Sequence, residues 1–190
     1  MNPSTAKDER ITFFTALASQ YLQLSNGDKA ALRKVVLPDD LLMQPAFYHL
    51  LQATLEQFKE QTKTQMRKFL EQPSLVVRFV YLLPYFQCSN NQKSLGALFR
   101  EHGLSERRLF LVMRSDYPQD LVQLRRLCQQ IKGTPIDTGK LGELLFYWGR
   151  DSAGSEGSKR QLMQQYYLSS GADKTVESLD VEPVQVTEPS

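Results

Sequence analysis

Apolar residues recur along most of this chain at three- and four-residue steps, the period of an α-helix with one buried face. Ile11, Phe14, Leu17, Ala18 and Tyr21 predict a first amphipathic helix, stopped at Asn26-Gly27. A short helix follows around Lys29–Leu37 and ends at Pro38. Leu51, Leu55, Phe58, Thr62, Met66 and Phe69 then form one stripe, which predicts a long helix from about Ala46 to Glu71, broken by Pro73.

Residues 74–87 contain VVRFVYLLPYF, rich in β-branched and aromatic side chains. Such a run fits a buried strand or a buried helix. The helix is preferred, since no second convincing strand exists to pair with it. Later segments are more regular. Ser94 is placed to cap a helix with Leu95, Leu98 and Phe99, and His102-Gly103 ends it. Ser105 is placed to cap the next, through Arg114. Pro118 sits where a first helical residue belongs, opening a helix with Leu121, Leu124, Cys128 and Ile131 on one face. Gly133, Pro135 and Asp137 read as a turn. Leu141, Leu144, Leu145 and Trp148 mark another helix, stopped by Gly149. DSAGSEGS (151–158) reads as a flexible loop, with a last helix over about Lys159–Leu168.

Charge changes this picture at the C-terminus. The net charge is +2, but residues 173–190 carry −4, so the rest of the chain carries +6. From Ser170 onward the residues are acidic, aperiodic and Pro-containing, which predicts a disordered tail. A body of +6 suits an anionic partner without requiring one. The apolar run Val76 to Phe86 is interrupted by Arg78 and falls short of the ~20 residues a membrane span needs. Cys128 reads as a small core residue, and neither cysteine has a CxxC partner. The expectation is a reduced, cytoplasmic protein with no membrane contact.

The basic residues carry the chemistry. Residues 94–127 hold two Arg-Arg pairs, Arg107-Arg108 and Arg125-Arg126, besides Arg100 and Arg114. A guanidinium fork donates two parallel hydrogen bonds to paired phosphate oxygens. Arg107 and Arg114 fall on one side of their helix. Arg125 and Arg126 lie off the apolar face of theirs, so both are expected to project into solvent. The nearest acids are Glu106, Asp116 and Asp120. Two readings stand from residue types alone: nucleic-acid contact, or a solvated face with weak intrahelical ion pairs. Arg33-Lys34 forms a third basic pair. Lys59, Lys63, Arg67 and Lys68 have Glu56 and Glu60 beside them and read as a solvated face. No catalytic residue, metal-ligand set or cofactor motif is indicated; His49 and His102 stand alone, and His102 suits a helix end by dipole and capping. Asp39-Asp40, after Pro38, read as helix-start acids.

NGDKAALRK (26–34), PAFY (45–48), SLG (94–96), ERRLF (106–110), Arg114 with Asp116, LVQLRRL (121–127) and YWG (147–149) stand in an order that resembles the CasB small subunit family of the type I-E CRISPR Cascade complex. The match covers most of 20–168 and is densest over 94–149. The polar stretch 52–72 and the acidic tail have no counterpart in the pattern. The resemblance implies an all-α fold of two packed helical bundles, expected over 1–92 and 93–170, and the disordered tail read from composition is expected to follow over 171–190. It implies a non-catalytic subunit without cofactors, present as two copies beside other Cascade subunits and a guide RNA. Its basic surface would hold target DNA, the displaced strand included, once an R-loop opens. The implied nucleic-acid-binding residues are Arg33, Lys34, Arg107, Arg108, Arg114, Arg125, Arg126 and Arg150, with Arg114–Asp116 as an internal pair. The alternative is a free-standing helix-turn-helix DNA-binding protein reading a groove with the Ser105–Arg114 helix; a third is an interaction protein whose basic residues only solvate it.

Overall fold

The computed structural model describes residues 3–60, 67, 70–71, 73–89 and 93–169. The expected tail, 171–190, lies outside them, as do Thr62, Met66 and Phe69. The fold is mainly helical: α1 (Pro3–Gln23), α2 (Asn26–Lys34), a 3-10 turn (Pro38–Met43), α3 (Pro45–Glu56), α4 (Pro73–Leu82), a 3-10 turn (Leu83–Tyr85), α5 (Leu95–Glu101), α6 (Glu106–Arg114), α7 (Gln119–Gln130), α8 (Thr138–Arg150) and α9 (Ser152–Leu168). Two short strands, β1 (Phe86–Ser89) and β2 (Thr134–Asp137), interrupt it.

Helix α8 organises the core. It packs on α1, α4 and α9, while α9 also packs on α5 and α6 pairs with α7. The approach of α1 to α8 is close because position 142 is glycine: a Cβ there would lie 2.1 Å from Phe14 Cγ. Phe13, Phe14, Leu17 and Ala18 of α1 are fully buried, each large side chain contributing about 1.5–3 kcal/mol of transfer free energy. One contiguous core runs from Phe13 to Tyr166 and takes residues from both sides of position 92.

Several expectations need correction. The run 76–86 is helical at its start, as preferred, but its end is strand β1, and β1 has a partner. Residues read as a turn, 134–137, form β2, parallel to β1 with Cys88 opposite Ile136. Both are edge strands in a two-stranded sheet, so Pro135 costs the ladder little. The long helix predicted over 46–71 stops at Glu56. Gln57 N–H bonds back to Thr54 O, and Phe58 N–H to Leu55 O, which tightens the last turn and ends it. Phe58 still folds back onto the core, so the stripe continues across a break that periodicity does not register. Asn26-Gly27 open α2 under a Ser25 cap rather than ending α1. Pro118 is the N-cap of α7, one position before its first helical residue.

The predicted loop 151–158 is the start of α9. Asp151 caps it, accepting from Gly154 N–H at 2.6 Å, and Ser158 Oγ donates to Leu144 O at 3.0 Å inside the core. A Cβ at Gly154 would meet Tyr147 O at 2.6 Å. The small residues allow α9 to lie against α8; they do not loosen the chain.

Candidate nucleic-acid interface

The basic residues divide sharply by what they touch. Arg10 donates to Tyr147 Oη at 2.7 Å and to Glu143 at 3.3 Å, and lies over the Tyr147 ring. Arg78 is buried, 3.7 Å from Asp120 and stacked over Tyr117 at 4.5 Å. Burial pulls its pKa down and Asp120 pushes it back up, with a net lowering. Asp120 also accepts from Trp148 Nε1 at 2.9 Å and from Leu121 N–H at 2.7 Å. It is 2% exposed, so this acid is not available to neutralise the surface arginines.

Arg125, expected in solvent, points inward. Its Nε donates to Tyr85 Oη at 2.6 Å and its Nη2 to Arg33 O at 2.8 Å, with a further bond to Val35 O. The guanidinium lies 4.7 Å from the Tyr81 ring centroid. Burial opposes its charge, but Tyr81 and Tyr85 more than offset this and its pKa is raised. Arg125 therefore pins the C-terminal end of α2 to α7. An apolar stripe marks which face is buried, but not that a long cation at its margin will reach across to another helix's carbonyls.

Arg150 is exposed but engaged, donating to Asp151 at 2.9 Å. That bond raises its pKa, while Gly154 N–H and Arg150 lower that of Asp151. Arg114 and Asp116 are both exposed, and no ion pair within 4.0 Å joins them, so the expected internal pair is not formed.

Arg33, Lys34, Arg107, Arg108, Arg114 and Arg126 remain. All are exposed, and among the described residues none has an acidic partner. Arg33 and Lys34 close α2, and Arg114 closes α6. A cation in a helix's last turn is favoured by the macrodipole whatever else it does. Arg107 and Arg108 are the opposite case. They occupy the first turn of α6, where the dipole disfavours cations by about 0.3–1 kcal/mol each. The helix dipole gives no reason for either of them. Arg108 hydrogen-bonds Gln130 Oε1, Gln130 Nε2 donates to Arg126 O at 3.1 Å, and Arg126 Nη1 donates to Gln123 Oε1 at 3.3 Å. These side chains, with Leu111 and Leu127, line an open groove of about 500 Å³ between α6 and α7.

Gln123, Gln130 and Leu111 carry no charge that marks them in the sequence as part of a site. Gln130 lies one turn beyond Arg126, so helical spacing puts the two together; that α6 faces them is a tertiary fact. Lys132 is exposed just beyond the end of α7 and belongs to none of the basic pairs. The groove offers charged forks, amides and an apolar floor, a combination that suits phosphates and the faces of nucleobases. Among the described residues no cluster of His, Cys, Asp or Glu is placed to hold a metal ion, and no helix is long and apolar enough to cross a membrane.

The motifs that carry the resemblance mostly do folding work. In YWG, Tyr147 holds Arg10, Trp148 holds Asp120, and Gly149 makes room for Arg78. In SLG, Ser94 caps α5 and Gly96 lies against the backbone of α9. In LVQLRRL, Leu121, Leu124 and Leu127 are core.

No family model matches the chain. It is 29% identical over 158 residues to the CRISPR system Cascade subunit CasB of Escherichia coli strain K12, covering 81% of this chain and 92% of that protein. It also resembles a chain in the crystal structure of E. coli Cascade bound to a PAM-containing dsDNA target, with a TM-score of 0.64 and 27% identity over 82% of this chain and 96% of that one. Likeness in sequence is thus to CasB, and likeness in fold to a chain of the same complex, which supports the resemblance to the CasB family.

Proposed function

We propose that this chain is a non-catalytic, cytoplasmic subunit of a Cascade-type RNA-guided complex, and that its unpaired cations hold nucleic-acid backbone to stabilise target DNA and the R-loop. The partners are other Cascade subunits, a guide RNA, a second copy of the chain, and target DNA with its displaced strand. One observation carries the nucleic-acid reading: Arg107 and Arg108 stand, without acidic partners among the described residues, at the helix end that disfavours them. Phosphate would supply the missing counter-charge. Arg126 shares the α6–α7 groove with Arg108, and Arg33, Lys34 and Arg114 extend the exposed basic surface. Arg125 serves by positioning α2, and Arg150 is committed to Asp151.

R-loop formation exchanges one duplex for another at nearly balanced free energy, so a few backbone contacts are enough to tip it. Such contacts are indifferent to sequence and weaken with salt. The test is the assembled complex carrying Arg107→Ala plus Arg108→Ala, with R-loop lifetime followed across salt. Shorter lifetimes at about 0.15 M salt, and a log–log slope flattened by roughly 0.9 per lost duplex contact or 0.7 per single-strand contact, are expected. Unchanged lifetimes would end the assignment. Tight sequence-dependent duplex binding by the isolated chain would favour a helix-turn-helix reader instead.

A further inference from the structure

Helix α9 ends beside the start of α6, whose arginines have no acidic partner among the described residues. Helix α9 ends at Leu168, and its last turn is fastened to the start of α6. Tyr166 Oη donates to Leu104 O at 2.6 Å in the interior, and the Tyr167 hydroxyl hydrogen-bonds Glu106. The chain therefore leaves α9 next to Glu106, one residue before Arg107. The following segment carries Asp173, Glu177, Asp180, Glu182 and Glu188 against Lys174.

Its reach is ample. Residues 170–190 extend at most about 70 Å at ~3.5 Å per residue, whereas α6 and α7 are each under about 20 Å long. The pattern also fits. Among these acids stand Leu179, Val181, Val184 and Val186, and beside Arg107 and Arg108 the α6 surface exposes Phe110 (41%) and Leu111 (51%). The acids and aliphatics of the segment's sequence are thus complementary in kind to the arginines and aliphatics of the α6 surface.

We infer that segment 173–188 docks on the α6–α7 face and occupies the phosphate sites of Arg107, Arg108 and Arg126 until nucleic acid displaces it. Tethering makes the contact intramolecular, at an effective concentration in the millimolar range for a short linker. Weak ion pairs then suffice to discourage stray nucleic acid, yet a phosphate strand held in place by a complex outcompetes them. The docking itself is independent of the proposed function; its consequence for nucleic acid rests on that reading.

The experiment compares the full chain with a full-length variant carrying Asp173→Asn, Glu177→Gln, Asp180→Asn, Glu182→Gln and Glu188→Gln. Amide NMR spectra of each are recorded at about 10 mM and about 1 M salt, between which the Debye length falls from about 30 to about 3 Å. Docking predicts salt-dependent shifts in 106–111 and 123–130 of the natural chain that the variant lacks. Absence of that difference overturns the inference, even if the variant binds oligonucleotide better, because its altered net charge alone would explain the gain. A single-stranded oligonucleotide is then titrated into both, with several-fold tighter binding by the variant expected. Amide shifts with no oligonucleotide bound by either chain would leave the docking standing and overturn its proposed consequence for nucleic acid. Amide shifts with equal oligonucleotide affinity would overturn the competition.

Discussion

Arg78 and Gly149 exclude each other's alternatives: a Cβ at position 149 would lie 2.4 Å from Arg78 Nε and 2.7 Å from its Cδ. Arg78 is buried beside Asp120, which in turn accepts from Trp148. The glycine thus leaves room for the cation that balances a buried carboxylate. Neither partner of a buried pair is cheaply lost, since the survivor keeps an uncompensated charge.

Gly149→Ala should therefore destabilise the protein by about 2–3 kcal/mol, the cost of overpacking plus a displaced Arg78. Gly157→Ala, in α9 with nothing within 4 Å of the added Cβ, should stabilise it by about 0.5–1 kcal/mol. Urea unfolding of both variants measures this. Equal effects would mean that Arg78 does not depend on the space at 149.

The two members of an Arg-Arg pair should behave differently. Arg125→Ala removes bonds to Tyr85, Val35 and Arg33 and should cost about 2–4 kcal/mol. Arg126→Ala, with its one long bond to Gln123, should stay within about 0.5 kcal/mol. Denaturant midpoints of the two variants decide the matter; a silent Arg125→Ala would refute the pinning of α2.

Alkaline pH should unfold the chain by a route visible in its pKa values. Burial raises Tyr21 and Tyr81 above 10.0 and Cys88 and Cys128 above 9.0. Tyr117 is raised by burial and by its bond to Asp39. A raised folded pKa contributes stability that is whole below the unfolded value and lost as pH climbs through the folded one. Stability should hold to about pH 8.5 and fall beyond it. Cys128→Ala, though less stable at neutral pH, should show a shallower decline in a pH series of unfolding curves. An unchanged alkaline limb would exclude Cys128 as a contributor.

Two serines in equivalent positions test the capping geometry. Ser94 Oγ accepts from Ala97 N–H, whereas Ser105 precedes α6 without a side-chain cap bond. Ser94→Ala should cost about 0.5–1 kcal/mol. Ser105→Ala should cost less than about 0.5 kcal/mol. Paired melting curves compare them, and a larger loss at Ser105 would contradict the geometry described.

Local chemistry alone determined much of this protein. The helical faces of α1, α5, α7 and α8 were legible because burial repeats at 3.6 residues and leaves its mark in residue order. Cys128 could be placed in the core, and His102, whose Nδ1 lies 2.9 Å from Leu98 O, at a helix end, for the same local reasons. The CasB likeness was legible too, since its motifs are largely the residues that cap, pack and pin those helices. Tertiary structure alone decided the rest. Strands β1 and β2 are four residues each and are made by pairing with each other, so neither is written in its own segment. The small residues of 151–158 became helix because α8 needed a close neighbour. Arg125 and Arg126 are adjacent and chemically identical, yet one reaches the carbonyls of α2 and the other does not. What a side chain faces depends on distant backbone, and no local pattern encodes that distance.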